Sequence, residues 1–168
     1  MGKKKDYRVL LKTPFQSGFG RFSALAEYFL YYAPNIDSAQ SSQILTDKQS
    51  RVLLEEMLKK TSMKENSRFL KKIQPASWGK SDLDGYELDF ETPRMLCDLY
   101  SNENELHALL RHIRNALAHG YLYPWKKKTG NYVLLIDYDA GRKKKTAMIM
   151  VNMQILETWK TILETKAE

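Results

Sequence analysis

Apolar residues recur at helical spacing in several stretches of the chain, and each of these stretches predicts a helix. The first, residues 20–32 (GRFSALAEYFLYY), stops at Pro34, which cannot continue a helix. A second helix is predicted over residues 44–60, a shorter helical piece around residues 66–73 (NSRFLKKI), and a final helix over residues 153–166. The candidate core positions of the second helix are Ile44, Val52, Leu53, Met57 and Leu58.

The helix with the clearest boundaries is predicted over residues 103–119. Asn102 followed three residues later by Glu105 resembles a capping box, in which each side chain satisfies a backbone N–H of the first turn. Gly120 suits the C′ position, where a helix ends in the left-handed conformation. The apolar stripe of this helix consists of Leu106, Leu109, Leu110, Ile113, Ala116 and Leu117.

After Pro124 the apolar residues alternate with a period of two, as they do in β-strands. The sequences NYVLLIDYD and KKTAMIMVN predict two strands joined by DAGRK, which makes a hairpin over about residues 131–151. The segment over about residues 75–93 is rich in Gly, Pro, Ser and Asp and predicts a long loop. The expected fold class is mainly α: a helical bundle with one small antiparallel β-hairpin before the C-terminal helix, in a single domain over residues 1–168.

Positive charge is concentrated around the predicted hairpin. The net charge of the chain is +7, and between Tyr121 and Val151 there are seven basic residues and two acidic ones, which gives that segment +5. A localised cationic surface attracts polyanions, nucleic acid first among them. The alternative is that the lysines only keep exposed turns and strand ends in solution.

Two further features bear on where the protein works. No apolar run reaches the roughly 18 residues of a membrane-spanning helix, and the basic N-terminus lacks the apolar stretch of a signal peptide. The single cysteine, Cys97, cannot form an intramolecular disulfide, which suits a reducing compartment. A cytoplasmic location without membrane association is therefore predicted.

The sequence LRHIRNALAHGYL holds the densest set of chemically active side chains. On the predicted helix, His112, Asn115 and His119 fall at i, i+3 and i+7 and line one side. Arg111 and Arg114 form the adjoining row. Arg114 and His119 leave the backbone about 140° apart, so a single helix does not bring them together.

These residue types suit cleavage of RNA without a metal. A neutral histidine can remove the proton of a 2′-hydroxyl, and the arginine fork can bind two oxygens of the phosphate on which charge develops. Asn115 could orient the imidazole of His119 or bind a phosphate oxygen. The structural alternative is a solvated helix face, or a histidine that caps the last carbonyls of the helix.

Other chemistries have weaker support in the sequence. A zinc site built from Cys97, His107, His112 and His119 is conceivable, but their spacings match no zinc-binding pattern. The sequence has no phosphate-binding glycine loop and no nucleophile elbow. We therefore expect neither a metal nor a cofactor.

The sequence RNALAHGY resembles the hallmark of the HEPN superfamily, in which an arginine and a following polar residue precede a histidine. Arg114 and His119 enclose four residues here, and Asn115 occupies the polar place. The ending His119–Gly120–Tyr121 is similar to that of HEPN toxins paired with nucleotidyltransferase antitoxins. The resemblance covers roughly residues 100–165.

This resemblance implies an α-helical bundle that forms a homodimer with a composite active site, in which Arg114 of one chain works beside His119 of the other. It implies a metal-independent endoribonuclease of a toxin or phage-defence system that leaves a 2′,3′-cyclic phosphate, with Asn115 supporting catalysis. Tyr121 matches the tyrosine that such an antitoxin modifies, so an antitoxin is a candidate partner beside RNA. The predicted RNA-binding residues are Arg111, Tyr123, Trp125, Lys126, Lys127, Lys128, Arg142, Lys143, Lys144 and Lys145.

Two other functions stay open at this point. The chain could be a non-catalytic HEPN-like dimeric module that binds nucleic acid or nucleotide. It could also be a structural or antitoxin-like partner, in which the motif only packs the dimer.

Overall fold

The helices of the chain pack on one face of a five-stranded sheet. The computed structural model describes residues 20–34, 44–71, 92–128, 130–141 and 144–166. Within these ranges the helices are α1 (Gly20–Glu27), which continues as a π-helical turn over Tyr28–Tyr32, α2 (Asp47–Lys60), α3 (Glu105–Ala118) and α4 (Met153–Lys166). The strands are β1 (Ser67–Leu70), which follows a 3₁₀ turn over Lys64–Asn66, β2 (Arg94–Asp98), β3 (Leu122–Lys127), β4 (Gly130–Tyr138) and β5 (Lys145–Asn152).

The strands lie in the order β1-β2-β5-β4-β3. Strands β1 and β2 pair in parallel, and the other neighbours pair antiparallel. The prediction of a helical bundle with one small hairpin is therefore wrong. The predicted hairpin exists as β4 and β5, but these are inner strands of a mixed sheet, flanked by β3 on one side and by β2 on the other.

The region predicted as a short helix around NSRFLKKI contains β1. Ser67 pairs with Met95 and Leu70 pairs with Asp98, so this strand is held by partners far along the chain. Four residues are too few for apolar spacing to distinguish a strand from a helical turn, and tertiary pairing decides.

Strand β3 contains Pro124, a residue that lacks the N–H a strand normally donates. The N–H of Ile136 donates to the carbonyl of Tyr121 at 3.0 Å, which sets the alternation of the antiparallel pairing. By that alternation the nitrogen of Pro124 faces away from β4, on the free edge of the sheet. A proline is tolerated there, and it makes the edge a poor template for another strand.

Both faces of the sheet are buried. The face under the helices carries Met95, Cys97, Leu122, Val133, Leu135, Ala147, Ile149 and Val151, and the other face carries Leu96, Tyr123, Leu134, Ile136, Met148 and Met150. Central strands that are apolar on both faces read as unbroken apolar runs. That is the pattern of YVLLI in β4 and of AMIMV in β5.

Helix α3 packs against β4, α2 and the π-helical turn, and its predicted apolar stripe is buried except for Leu117, which is partly buried. In α2, the predicted core residues Leu53, Met57 and Leu58 are buried. Ile44 and Val52 are exposed, which contradicts the prediction for them. Ile44 precedes the helix, because Thr46 caps it in a capping box with Gln49.

Helix α4 agrees with its predicted bounds. The side chain of Asn152 accepts a hydrogen bond from the N–H of Ile155 at 2.8 Å, so the helix begins directly after β5. The indole of Trp159 is fully buried and donates to the hydroxyl of Thr61 at 3.3 Å. This contact fixes α4 against the end of α2.

Two further sequence predictions concern the long loop and membrane-spanning helices. Most of the loop predicted over residues 75–93 lies outside the described residues, which end at Lys71 and resume at residue 92. Among the helices that are described, none has the length and apolar character needed to cross a membrane.

Candidate active site at the end of α3

The N-terminus of α3 is capped two residues later than the sequence predicted. The side chain of Asn104 accepts a hydrogen bond from the N–H of His107 at 2.8 Å, and Asn104 is the N-cap. Asn102, the predicted cap, lies in the preceding turn with a left-handed φ of 63°. The predicted capping box of Asn102 with Glu105 is therefore wrong.

The C-terminus of α3 presents His119 on a sharply defined turn. His119 is the C-cap, and Gly120 follows with a φ of 71°, as predicted for the C′ position. The N–H of Gly120 donates to Leu117 at 3.2 Å and the N–H of Tyr121 donates to Ala116 at 2.8 Å. This pair of bonds is a Schellman motif, which ends the helix and leaves the side chain of His119 exposed.

His112, on the same helix, is fully buried between two carboxylates. Its Nδ1 lies 2.8 Å from Oδ2 of Asp137, on β4. Its Nε2 lies 2.9 Å from Oδ1 of Asp98, at the end of β2, and 3.0 Å from the carbonyl of Asp98. Because both ring nitrogens face acceptors, both must carry protons, and the ring is an imidazolium ion.

The charge on His112 follows from a balance of opposing effects. Burial by itself would lower the pKa of His112, but the hydrogen bonds to Asp137 and Asp98 outweigh burial and raise the pKa above its ordinary value of 6.5. Burial would raise the pKa of Asp98, yet its contacts with His112 and Arg111 lower it. His112, Asp98 and Asp137 form an ion cluster that connects α3 to β2 and β4.

Arg111 extends this cluster at the side away from β4. Its Nε and Nη2 donate to the two oxygens of Glu103 at 2.7 and 2.8 Å, and Nη2 lies 3.4 Å from Oδ1 of Asp98. The guanidinium also lies 3.7 Å above the ring centroid of Tyr100. These contacts occupy the fork of Arg111, one of the residues predicted to bind RNA.

Asn115 is tied to the same cluster from the next turn of the helix. Its Nδ2 donates to Oδ2 of Asp137 at 3.1 Å, the oxygen that also accepts from His112. The other oxygen of Asp137 accepts from the N–H of Tyr138 at 2.9 Å. One buried carboxylate therefore receives three donors, and one of them is the asparagine of the motif.

An aromatic row leads from the exposed histidine towards the sheet. The rings of His119 and Tyr121 have centroids 6.3 Å apart, and the rings of Tyr121 and Tyr138 meet edge to face at 4.8 Å. Tyr138 ends β4 at a bulge, where the partner position shifts from Ala147 to Lys145. Tyr121, the candidate modification site, is half-buried beside His119.

The described lysines of the predicted cationic segment lie at two different ends of β4. Lys128 is exposed in the turn between β3 and β4, whereas Lys144 is exposed beside Lys145, which pairs with Tyr138. Nine residues of strand separate the two ends by about 30 Å. Among the described residues, Lys128 is therefore separated from Lys144 and Lys145, which lie at the end where the aromatic row meets the sheet.

The remaining predicted site residues fall into four groups. Arg114 is half-buried on α3, one position before Asn115. Tyr123 is buried in the second face of the sheet. For Trp125, Lys126 and Lys127 the structure describes only the backbone of β3, and Arg142 and Lys143 lie outside the described residues.

Cys97 and the histidines do not form a metal site in the part of the chain that the structure describes, where no three potential ligands lie close enough to hold an ion. Cys97 is fully buried under the helices. Burial raises the pKa of the Cys97 thiol far above its ordinary range, so it stays protonated and acts as a small apolar side chain.

The family of the chain is decided by a match over most of its length. Residues 43–165 match the model of the family HEPN pEK499 p136. The chain belongs to this HEPN family. Neither a curated protein nor a solved structure matches it significantly.

In this HEPN protein, the motif residues differ in how firmly they are held. His119 is fixed through its backbone by the Schellman motif, and Asn115 is fixed through its side chain by Asp137. Membership of the HEPN family is compatible with a nuclease or a nucleotide-binding module.

Asp98, Glu103 and Asp137 were not predicted from the sequence as partners of α3. The sequence does contain a signal for Asp137. With Val133 and Leu135 it occupies every second position of β4, on a strand face that is otherwise apolar. A carboxylate at such a position must find buried donors. Asp98 and Glu103 flank the start of α3, and no periodicity marks them.

The ion cluster predicts that the stability of the HEPN protein falls in alkaline solution. A raised pKa means that His112 contributes its full stabilisation below pH 6.5, and that this contribution is lost as the pH rises through the folded-state value. Asp137, Asp98 and Arg111 are the charged groups that face the ring. Urea unfolding between pH ~5 and ~9 would measure the slope.

The lowered pKa values of Asp98 and Glu103 act on the acid side, where their contributions are lost as the pH falls below the ordinary values of 3.8 and 4.5. Maximum stability is therefore expected between these values and 6.5. The variant His112→Gln should lack the alkaline decline. An equal decline in the variant and the wild type would contradict the assignment of that decline to His112.

Proposed function

We propose that this protein is a metal-independent endoribonuclease that acts as a homodimer. The observation that carries the proposal is the end of α3, where an exposed histidine follows one turn after an asparagine that is bonded to a buried carboxylate. A general base needs access to its substrate and a fixed position. The side chain of His119 is exposed, and its backbone is held by the bonds at the end of α3. The HEPN family match supports this chemistry.

In the proposed reaction, His119 removes the proton of a 2′-hydroxyl, and the freed oxygen attacks the adjacent phosphorus. The bond from phosphorus to the 5′-oxygen breaks, and that oxygen takes a proton from an imidazolium. The products are a 2′,3′-cyclic phosphate and a 5′-hydroxyl. Arg114 stabilises the negative charge that develops on the phosphorane oxygens.

In the proposed homodimer, a second copy of the chain brings an arginine and a histidine to the same phosphate. Arg114 and His119 leave α3 about 140° apart, which does not favour both reaching one phosphate from the same helix. In a homodimer with the two helix ends facing each other, Arg114 of one copy lies beside His119 of the other. The leaving oxygen takes its proton from the imidazolium of the same His119, so each site needs one Arg114 and one His119.

The RNA-binding surface is proposed at the end of β4 that carries Tyr138. Tyr121 and Tyr138 offer aromatic rings beside His119, and Lys144 and Lys145 add positive charge at the same end of the sheet. Aromatic rings interleaved with cations suit single-stranded nucleic acid. Lys128 lies about 30 Å away at the opposite end of the strand.

Charge reversal distinguishes the two ends. The double variant Lys144→Glu/Lys145→Glu should raise the KM for RNA by about tenfold and reduce its dependence on salt, because phosphate contacts are lost. The matched control Lys127→Glu/Lys128→Glu, at the other end of β4, should change KM by less than about twofold. Equal effects of the two double variants would contradict the proposed surface.

We place the nuclease in a toxin or phage-defence system of the cytoplasm, with a nucleotidyltransferase antitoxin as a candidate partner. Tyr121 is half-buried with its ring 6.3 Å from that of His119. A nucleotide attached to Tyr121 would add bulk and negative charge beside the catalytic histidine, and RNA would be repelled.

The function is tested with purified protein and total RNA in excess EDTA. We expect wild-type protein to fragment the RNA and His119→Ala to leave it intact. A substrate with a 2′-deoxy sugar at the cleaved position should resist cleavage. RNA that stays intact with wild-type protein would refute the proposal, and salt-sensitive binding without cleavage would favour a non-catalytic module.

A further inference from the structure

The carboxylate of Asp137 determines how the motif asparagine faces the site. Asp137 is 3% exposed, and its Oδ2 lies 3.1 Å from Nδ2 of Asn115. A carboxylate oxygen only accepts hydrogen bonds, so the amide nitrogen of Asn115 must point inward. The carbonyl oxygen, Oδ1, then points away from Asp137.

The side chain of Asn115 leaves α3 next to that of His119. Asn115 and His119 are four residues apart, so their side chains leave the helix as neighbours. An outward Oδ1 can accept a hydrogen bond from an imidazole N–H or from a substrate hydroxyl. Oδ1 itself cannot donate a hydrogen bond to a phosphate oxygen.

Asp137 is itself held in place from several directions. Its Oδ2 accepts from the imidazolium of His112 at 2.8 Å, and its Oδ1 accepts from the N–H of Tyr138 at 2.9 Å. His112 is anchored on its other side by Asp98 at 2.9 Å. The chain Asp98–His112–Asp137–Asn115 therefore crosses from β2 through α3 to β4 and returns to the motif.

We propose that Asp137 is a positioning residue for RNA cleavage, which holds Asn115 with its carbonyl oxygen towards His119 as a hydrogen-bond acceptor. The inference rests on the proposed nuclease function for its effect on rate. The orientation itself concerns the protein alone and can be observed without RNA. Asp137 acts through Asn115 and does not touch the substrate.

The rate test is a double-mutant cycle. Asp137→Asn should lower kcat by about ten- to a hundredfold with little change in KM, because a misplaced side chain costs rate more than binding. In the background of Asn115→Ala the same substitution should have no further effect on kcat, since the residue through which it acts is gone. A merely structural role would give additive losses.

Asp98→Asn is the matched control. It removes the same charge from the other side of His112 and leaves the bond between Asn115 and Asp137 in place. It should lower the midpoint of thermal unfolding as Asp137→Asn does, but its loss of kcat should be far smaller than that of Asp137→Asn, because Asp98 reaches Asn115 only through His112 and Asp137.

The orientation test uses nuclear magnetic resonance of the side-chain amides. In wild-type protein the Asn115 amide should exchange with solvent more slowly than the amide of Asn102, which is exposed. Asp137→Asn should remove that protection. The wild-type comparison needs no variant, so it decides the orientation even where Asp137→Asn does not fold.

The outcomes separate the two proposals. Wild-type protein that leaves RNA intact overturns the nuclease function, and the amide exchange then decides the orientation by itself. Active wild-type protein with additive losses in the cycle, or with equal kcat losses in Asp98→Asn and Asp137→Asn, overturns the positioning role alone. An unprotected Asn115 amide in wild-type protein overturns the orientation in every case.

Discussion

Replacing His119 by alanine is expected to lower the rate of RNA cleavage by about 10²- to 10⁴-fold, the range typical for loss of a general base. The fold should be retained, because the cap at the end of α3 uses the backbone N–H of His119, which donates to Asn115 at 3.0 Å. Cleavage rates of a labelled RNA in EDTA and thermal unfolding of both proteins check the two parts of this result.

Arg114→Ala is expected to lose activity on the same scale, since it removes the charge that stabilises the transition state. The matched control is His107→Ala, which removes a half-buried histidine near the other end of α3. His107→Ala should cleave RNA at the wild-type rate. Wild-type rates in His119→Ala, or an equal loss in His107→Ala, would remove the basis for placing the chemistry at the end of the helix.

Replacing His112 by leucine is expected to cost about 3–5 kcal/mol of unfolding free energy, the cost of breaking a buried ion pair. The carboxylate of Asp137, 3% exposed, would face an apolar side chain in place of a cation. Urea unfolding at a pH near 6, below the ordinary pKa of histidine, measures the loss.

The double variant His112→Leu/Asp137→Leu should regain much of that stability, because a pair of apolar side chains replaces a pair of charges and leaves neither charge buried alone. Its stability should therefore exceed the value obtained by adding the losses of the two single variants. Additive losses would show that the two charges are not coupled.

The helices were predictable because their information is local. The residues that determine α2, α3 and α4 lie within each segment, where apolar positions recur with a period of 3.6, and directly beside it, where side chains cap the helix. The sheet depends on pairings between distant segments, such as Ser67 with Met95, and strands of four or five residues hold too few positions to show a period. The unbroken runs YVLLI and AMIMV did contain a signal, because a strand that is apolar on both faces requires neighbours and a second layer.

In the candidate site, too, the residues close in sequence could be predicted and the contacts between distant segments could not. The motif of Arg114, Asn115 and His119 could be found in the sequence, since its members lie within six residues of one helix. The carboxylate that holds the motif could not be found in the sequence, because Asp137 reaches Asn115 only through the packing of β4 under α3. The basic residues around the hairpin were predicted to form one patch. In the structure, the length and register of β4 separate Lys128 from Lys144.

The most direct test mixes two inactive proteins. Arg114→Ala and His119→Ala are combined, allowed to exchange subunits, and assayed on RNA in EDTA. A composite site predicts that each variant alone is inactive and that the mixture recovers about a quarter of wild-type activity, since half of the dimers would hold one intact site of two. The recovered products should end in a 2′,3′-cyclic phosphate. A mixture as inactive as its components, beside active wild-type protein, would contradict the shared site, and inactive wild-type protein would contradict the nuclease itself.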